Sequence, residues 1–180
     1  MPITKLSIAF AGAILLCSSA FAGSVKTFAV KGVDVSKYET YQWMPVRILT
    51  KVGIQENDEV VAPEIRKAVN RELQQKGYRE VAEGGQLQIL CMGLSEPSNQ
   101  LEGLLVTWGW APGWGWAPTT ATAVSRVNRE GTIALGFIDA QTKKPVWSGF
   151  ASEALHLQAI NKTVDKAAAR LFKKMPARKP

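Results

Sequence analysis

The spacing of apolar residues along the chain predicts short strands. Loose alternation over residues 25–33 predicts a first strand, and residues 34–37 predict a turn. An aromatic-rich run over residues 38–44 predicts a second strand, which Pro45 is expected to end because proline cannot donate to a strand ladder. A nearly continuous apolar run over residues 87–94 predicts a third strand.

Two further segments show the 3.6-residue period of a helix. The first extends from about residue 62 to 76, with Pro63 in its first turn and Gly77 as its expected stop. The second extends from about residue 161 to 174 and ends before Pro176. The apolar stripes are Ile65, Val69 and Leu73 in the first helix and Val164, Ala168 and Leu171 in the second.

Residues 130–155 carry the clearest hairpin pattern. A strand over residues 132–138 ends at Asp139, a polar turn follows, and residues 146–151 form the returning strand. We expect Asp139 to accept hydrogen bonds from nearby turn amides, which is a structural role. Because strands and helices come in blocks without β-α-β alternation, we predict an α+β domain: a mainly antiparallel sheet with two helices packed on one face.

The N-terminal residues are typical of a signal peptide that precedes this domain. Lys5 is followed by an apolar run over residues 6–16, which is too short to cross a bilayer, and small residues follow it. The Ala20-Phe21-Ala22 triplet predicts cleavage between Ala22 and Gly23. We therefore expect export to the periplasm or cell envelope, with an uncleaved anchor as the alternative.

The predicted domain organisation is a signal peptide at residues 1–22, a single α+β domain at 23–176 and a basic tail at 177–180. A lipid anchor on Cys17 is a further alternative, but Leu16 occupies the position where lipoprotein signals require a small residue. The mature chain would have 158 residues, enough for one core. Its single cysteine, Cys91, excludes an intramolecular disulfide and lies in an apolar run that predicts a buried strand.

Positive charge is concentrated at the C-terminal end. The formal net charge is +7, yet residues 23–169 carry 16 basic and 15 acidic side chains. The excess lies in the last eleven residues, as Arg170, Lys173, Lys174, Arg178 and Lys179. A concentration of basic residues at the C-terminal end is typical of a solvated helix terminus. The alternative is that these residues form a secondary contact with an anionic surface. No nucleic-acid motif is present, so we expect no nucleic-acid partner.

The sequence offers little catalytic chemistry. His156 is the only histidine, and no Cys-x-x-Cys pair accompanies it, so we expect neither a metal nor a cofactor. No Gly-x-Ser-x-Gly elbow or glycine-rich phosphate loop follows a predicted strand. We therefore predict that the protein is not an enzyme. The alternative is a small envelope hydrolase or transferase, which a pocket joining Asp139, Glu153 and His156 would favour.

The most unusual element is a tandem Trp-Gly-Trp-Ala-Pro repeat within a Trp/Gly/Pro-rich insert at residues 107–118. Its tryptophans are Trp108, Trp110, Trp114 and Trp116, four of the six in the chain. Either they fold back to cap the open face of the sheet, or they face outward as a contact surface. The second hypothesis predicts a non-enzymatic binding protein whose partner is an envelope protein, a membrane surface or a glycan, with peripheral membrane contact. A third hypothesis is a structural subunit that adds a strand to the edge of a partner's sheet.

Four motifs, in order, resemble the landmarks of a bacterial envelope family, the domain of unknown function 4136. Residues 34–43 resemble its opening strand, residues 73–78 its first helix end, residues 138–149 its hairpin and residues 172–176 its closing helix end. The resemblance implies an envelope location and an α+β fold, and it brings no established activity or catalytic residue. Family members are commonly lipoproteins, from which the residues before Cys17 depart.

Overall fold

A computed structural model describes residues 25–50, 53–94, 132–153 and 159–179. Within these ranges the chain forms seven strands and two α-helices. The strands are β1 (Val25–Ala29), β2 (Thr40–Thr50), β3 (Gly53–Glu56), β4 (Arg79–Glu80), β5 (Leu87–Leu94), β6 (Thr132–Asp139) and β7 (Pro145–Ser152). The helices are α1 (Val61–Gln75) and α2 (Ile160–Phe172), and a short 3-10 turn (Val35–Lys37) follows β1. In the described part of the chain, no helix is long and apolar enough to span a membrane.

The strands form one mixed sheet in the order β1-β7-β6-β5-β2-β3, and β4 pairs with the start of β2. Four of the strand pairs in the described ranges are antiparallel, whereas β5 and β4 both lie parallel to β2. The predicted α+β class with a mainly antiparallel sheet is therefore confirmed. The parallel pairs were not predicted, because they join segments that α1 separates in sequence.

The prediction that Pro45 ends the second strand is wrong. Strand β2 continues through Pro45 to Thr50, and its register with β5 shifts between Trp43 and Val46. Pro45 is exposed within this irregularity. A bulge is one of the few places where a strand tolerates proline, because the missing N–H is not needed by the ladder there.

One face of the sheet, here called the inner face, packs against both helices. Side chains at alternate positions of a strand share a face, and those of the inner face join the helices in one buried cluster. The prediction that Tyr41 and Trp147 are core residues is confirmed, since they are 0% and 2% exposed. Large cluster members include Tyr41, Leu87, Ile89, Phe137 and Trp147 from the strands, Ile65, Leu73, Leu171 and Phe172 from the helices, and Tyr78, which follows α1.

Both helices lie close to where the sequence placed them. Helix α1 ends one residue before Lys76, and Gly77 then adopts φ +86°, a conformation that glycine reaches without the strain of a Cβ atom. Helix α2 approaches β7 closely at Gly149. A Cβ atom built there would lie 2.7 Å from the Trp147 ring and 3.0 Å from the Leu171 side chain. The small residue thus allows α2 to pack directly on the sheet.

Candidate functional site

Asp139 fixes the turn between β6 and β7, as the sequence predicted. Its Oδ1 accepts hydrogen bonds from the backbone N–H groups of Gln141 and Thr142, at 3.0 and 2.6 Å, and from the Thr142 hydroxyl at 3.0 Å. Its Oδ2 accepts one from the Tyr38 hydroxyl at 2.7 Å. These bonds, that of the Thr142 N–H foremost, lower the pKa of Asp139. The predicted structural role of Asp139 is therefore confirmed.

A polar groove of about 490 Å³ lies beside this turn, and Tyr38 and Asp139 are part of its wall. Burial, and then the hydrogen bond to Asp139, raise the pKa of Tyr38 to about 12, so its hydroxyl stays protonated at neutral pH. Two glutamines in the wall hold backbone groups. Gln42 Oε1 accepts from the Gly85 N–H at 2.9 Å, and Gln86 Oε1 accepts from the Glu39 N–H at 2.6 Å. The side-chain carbonyls of both glutamines in the groove wall are therefore already engaged, one with the loop at Gly85 and the other with the residue before β2.

Glu153 lies at the other end of the same hairpin. It follows β7 directly, whereas Asp139 precedes the turn, so an eight-residue strand of roughly 25 Å, at about 3.3 Å per residue, separates them. Glu153 is buried and pairs with Arg170 and, at 2.8 Å, with Lys166, both on α2. The structure therefore does not bring Asp139 and Glu153 together, and His156 lies outside the described residues.

Cys91 is part of the inner-face core. It is fully buried on β5, and burial raises the pKa of its thiol well above the ordinary value. A thiol in this environment stays protonated and packs as a small apolar side chain, as the sequence predicted. In the described ranges, no group of three or more His, Cys, Asp or Glu side chains could hold a metal ion.

The basic C-terminal residues are partly engaged inside the molecule. Lys179 Nζ lies 2.8 Å from Asp34 Oδ2, and Arg178 Nη2 lies 3.5 Å from Glu39 Oε2. The backbone N–H groups of Arg178 and Lys179 donate to the carbonyls of Lys76 and Ser36, at 2.9 and 3.0 Å. Residues 178–179, predicted as part of a solvated basic tail, therefore pack along the domain. No local pattern revealed this, because the partners lie more than a hundred residues away in sequence.

Asp34 is the acidic anchor of these C-terminal residues. The Lys179 ammonium group and then the Ser36 hydroxyl lower the pKa of Asp34 to about 2. Its Oδ1 accepts from the Ser36 backbone N–H at 3.2 Å, so the same carboxylate caps the 3-10 turn. Tyr78 completes the contact, because its hydroxyl lies 3.3 Å from the Val35 carbonyl and 3.2 Å from the Pro176 carbonyl.

The predicted contact surface lies outside the described residues. This applies to Trp108, Trp110, Trp114 and Trp116, and to Cys17, Ala22 and Gly23 at the predicted leader. For the segment that contains the tryptophan repeat, the structure describes only the strand ends on either side of it. Leu94 at the end of β5 pairs directly with Thr132 at the start of β6, so the described residues on either side of 95–131 are strand partners.

The described residues form an α+β fold, with a seven-stranded mixed sheet and two helices on one face. The family model described as Domain of unknown function (DUF4136) matches residues 25–177, and the chain belongs to this family. No curated protein matches the sequence.

Solved structures show the same fold at low sequence identity. A DUF4136 family protein from Bacteroides thetaiotaomicron is 16% identical, with 84% of this chain and 95% of that chain covered and a TM-score of 0.62. A PelC dodecamer from Paraburkholderia phytofirmans is 9% identical, with 88% and 100% covered and a TM-score of 0.52. A PDZ domain protein from Parabacteroides distasonis is 16% identical, with 87% and 36% covered and a TM-score of 0.52.

Proposed function

We propose that this chain is an exported protein of the bacterial cell envelope that acts by binding and not by catalysis. Its contact surface is the tryptophan-rich insert at residues 107–118, and its partner is an envelope protein, a membrane surface or a glycan. The observation that carries the proposal is the pairing of Leu94 with Thr132. It brings the two ends of residues 95–131, which contain the insert, to one pair of neighbouring strands, and binding residues are often found on loops that a rigid scaffold positions.

The composition of the insert supports a contact role. Tryptophan suits half-wet surfaces because its ring is apolar while its N–H needs a hydrogen-bond partner. The described part of the inner-face core is built from Trp147 and other residues of the strands and helices.

Two acidic groups that the sequence singled out, Asp139 and Glu153, also support binding over catalysis. Both oxygens of Asp139 hold the turn and Tyr38, and Glu153 is paired with Arg170 and Lys166. Groups held in this way serve structure, whereas a general acid or base must be within hydrogen-bond reach of a substrate proton. The hydrolase or transferase alternative gains no specific observation from these groups.

The proposal is tested by replacing Trp110 and Trp114 with serine in the mature chain. The free energy of unfolding should change by less than about 1 kcal/mol, as for exposed positions. Co-sedimentation with envelope membranes or with sacculi should fall. The matched control is Ile54→Ser with Val60→Ser, which removes two exposed apolar side chains elsewhere on the surface.

Two results would contradict the proposal. One is a loss of several kcal/mol in the free energy of unfolding, which would show that the two tryptophans are buried. The other is unchanged co-sedimentation of a correctly folded double variant. If the control loses retention to the same degree, the effect reflects general surface apolarity and the insert is not the contact.

A further inference from the structure

The polar groove beside the β6–β7 turn includes side chains from the face of the sheet that points away from the helices. Gln42 on β2 pairs with Gln88 on β5, and both line the groove. Their strand neighbours Tyr41 and Leu87 belong to the inner-face core, so the two glutamines point the opposite way, because side chains alternate along a strand. The volume of about 490 Å³ lies within the range of about 300–1,000 Å³ found for small-molecule sites.

The loop before β5 forms one wall of the groove and is held close against the sheet. A Cβ atom on Gly85 would lie 2.6 Å from the Gln42 backbone nitrogen, an approach that only glycine allows. The Gln86 N–H donates to the Thr40 hydroxyl at 3.1 Å, and the Gln86 carbonyl accepts from the Ala140 N–H at 2.8 Å. The fold itself therefore holds the wall in place, as in binding sites that are largely pre-formed.

Three glutamines in the wall leave hydrogen-bond donors for a ligand. Gln42, Gln86 and Gln88 each accept a hydrogen bond through Oε1 from a backbone N–H or from an ammonium group. Because these partners are donors, the oxygen is the engaged atom of each amide, and its –NH₂ group carries two further donors. Among the described residues, none of the three –NH₂ groups has a hydrogen-bond partner.

The charge of the wall disfavours an anionic ligand. Asp139 is ionised, and both of its oxygens already accept hydrogen bonds. No lysine or arginine is among the described residues that line the groove, and Lys143 contacts it only through Gln88, at 3.3 Å. The Tyr38 hydroxyl donates to Asp139, so its oxygen is left as an acceptor. The groove therefore combines amide donors with a hydroxyl acceptor and has little net charge.

We infer that this groove binds a neutral saccharide. Sugar hydroxyls both donate and accept, so they match the amide donors and the Tyr38 oxygen together. An apolar ligand would leave the amides unpaired, which costs free energy. A peptide usually binds by pairing with a free strand edge, whereas Gln88 lies on β5, between β2 and β6. The inference goes beyond the proposed function: it places a second site on the sheet, and it holds whether or not the tryptophan insert contacts a partner.

Oligosaccharide binding by the mature chain from Gly23 tests the inference. The probes are an immobilised set of neutral oligosaccharides of hexose and N-acetylhexosamine units, with matched oligosaccharides of uronic acids. At least one neutral oligosaccharide should be retained. Titration of that oligosaccharide, followed by nuclear magnetic resonance, should shift the side-chain –NH₂ signals of Gln42 and Gln88. The signal of Gln55, which is exposed on β3, is the internal control and should not move.

Gln88→Glu tests the donor directly, because it replaces the –NH₂ group with an oxygen and keeps the length of the side chain. The affinity for the retained neutral oligosaccharide should fall at least about tenfold. Gln55→Glu makes the same chemical change on β3 and should leave the affinity unchanged. Gln88→Met removes the amide without adding charge and should show the same loss. Circular dichroism and the urea midpoint establish that each variant is folded.

The other outcomes overturn the inference. They are the absence of any retained neutral oligosaccharide, unchanged affinity in folded Gln88→Glu, and shifts that spare Gln42 and Gln88 in the wild type, which do not depend on a variant folding. Stronger retention of the uronic-acid set would identify an anion site instead.

The variant with serine at Trp110 and Trp114 separates this inference from the proposed function. It should bind the neutral oligosaccharide like the wild type, even if its co-sedimentation with the envelope falls. If it loses the oligosaccharide while Gln88→Glu keeps it, the saccharide site is the insert, and the groove inference is wrong. If its co-sedimentation is unchanged, the proposed function fails, and binding in the groove is unaffected.

Discussion

Truncating Trp147 should remove a large part of the stability of the domain. The indole is 2% exposed and lies between two aromatic rings of the inner-face core. It meets Phe137 edge to face with centroids 5.1 Å apart, and it stacks on Phe172 of α2 with centroids 5.9 Å apart. Trp147→Ala therefore removes contacts within the sheet and between the sheet and a helix.

The expected loss is about 3–5 kcal/mol in the free energy of unfolding, the usual cost of truncating a buried aromatic side chain. The ring geometry accounts for part of it, at about 0.5–1.5 kcal/mol for each aromatic pair beyond area burial. A domain of this size has roughly 5–15 kcal/mol in total, so the variant would lose a large fraction of it. With a urea dependence of about 2 kcal/mol per M, the midpoint should fall by about 1.5–2.5 M.

Urea unfolding followed by far-ultraviolet circular dichroism measures the effect without relying on the deleted fluorophore. Val60→Ala, at a position 67% exposed, is the control and should change the free energy of unfolding by no more than about 0.5 kcal/mol. A double-mutant cycle with Phe172→Ala should give a coupling of about 0.5–1.5 kcal/mol for the stacked pair. An unchanged midpoint in Trp147→Ala would refute the packing argument and place Trp147 on the surface as a binding residue.

Two further predictions concern the ends of the chain. The pKa of Asp34 falls from 3.8 to about 2 on folding, so its contribution to stability should be complete above 3.8 and lost as the pH falls toward about 2. The urea midpoint of Asp34→Asn should therefore lie below that of the wild type at pH 6 and converge with it near pH 2. A difference between the two midpoints that stays constant with pH would contradict the Lys179 contact. Glu59→Gln, a change at an exposed position, is the control. Intact mass of the protein from an envelope fraction should fit a chain that starts at Gly23, whereas a mass with diacylglyceryl-modified Cys17 would show that lipidation occurs.

The sequence predicted the elements that depend on local pattern. Helix α1 and the β6–β7 hairpin lie within a residue or two of their predicted bounds, because helical periodicity, a glycine stop and turn chemistry are all short-range. Asp139 was assigned its turn role for the same reason, since its amide partners are two and three residues away. The tryptophan repeat was recognised from sequence alone, and its contact role stays a prediction.

Features that depend on distant partners were missed. The continuation of β2 through Pro45 is stabilised by pairing with β5, about forty residues later. The pairing of Lys179 with Asp34 joins opposite ends of the domain, and neither residue is unusual in its own neighbourhood. The apolar run over residues 87–94, from which a buried strand was predicted, is also typical of a strand buried on both faces.

The contact between residues 178–179 and the first turn has a consequence for the order in which the domain folds. Strand β1 pairs with β7, and Asp34 in the turn after β1 pairs with Lys179. Both partners are synthesised late, because they lie in the C-terminal part of the chain. Such long-range pairings slow folding, since a large loop must close before any contact forms. Strand β1 therefore stays without its native partner until β7 emerges from the ribosome or from a translocation pore, and the turn at Asp34 stays without its partner until Lys179 emerges.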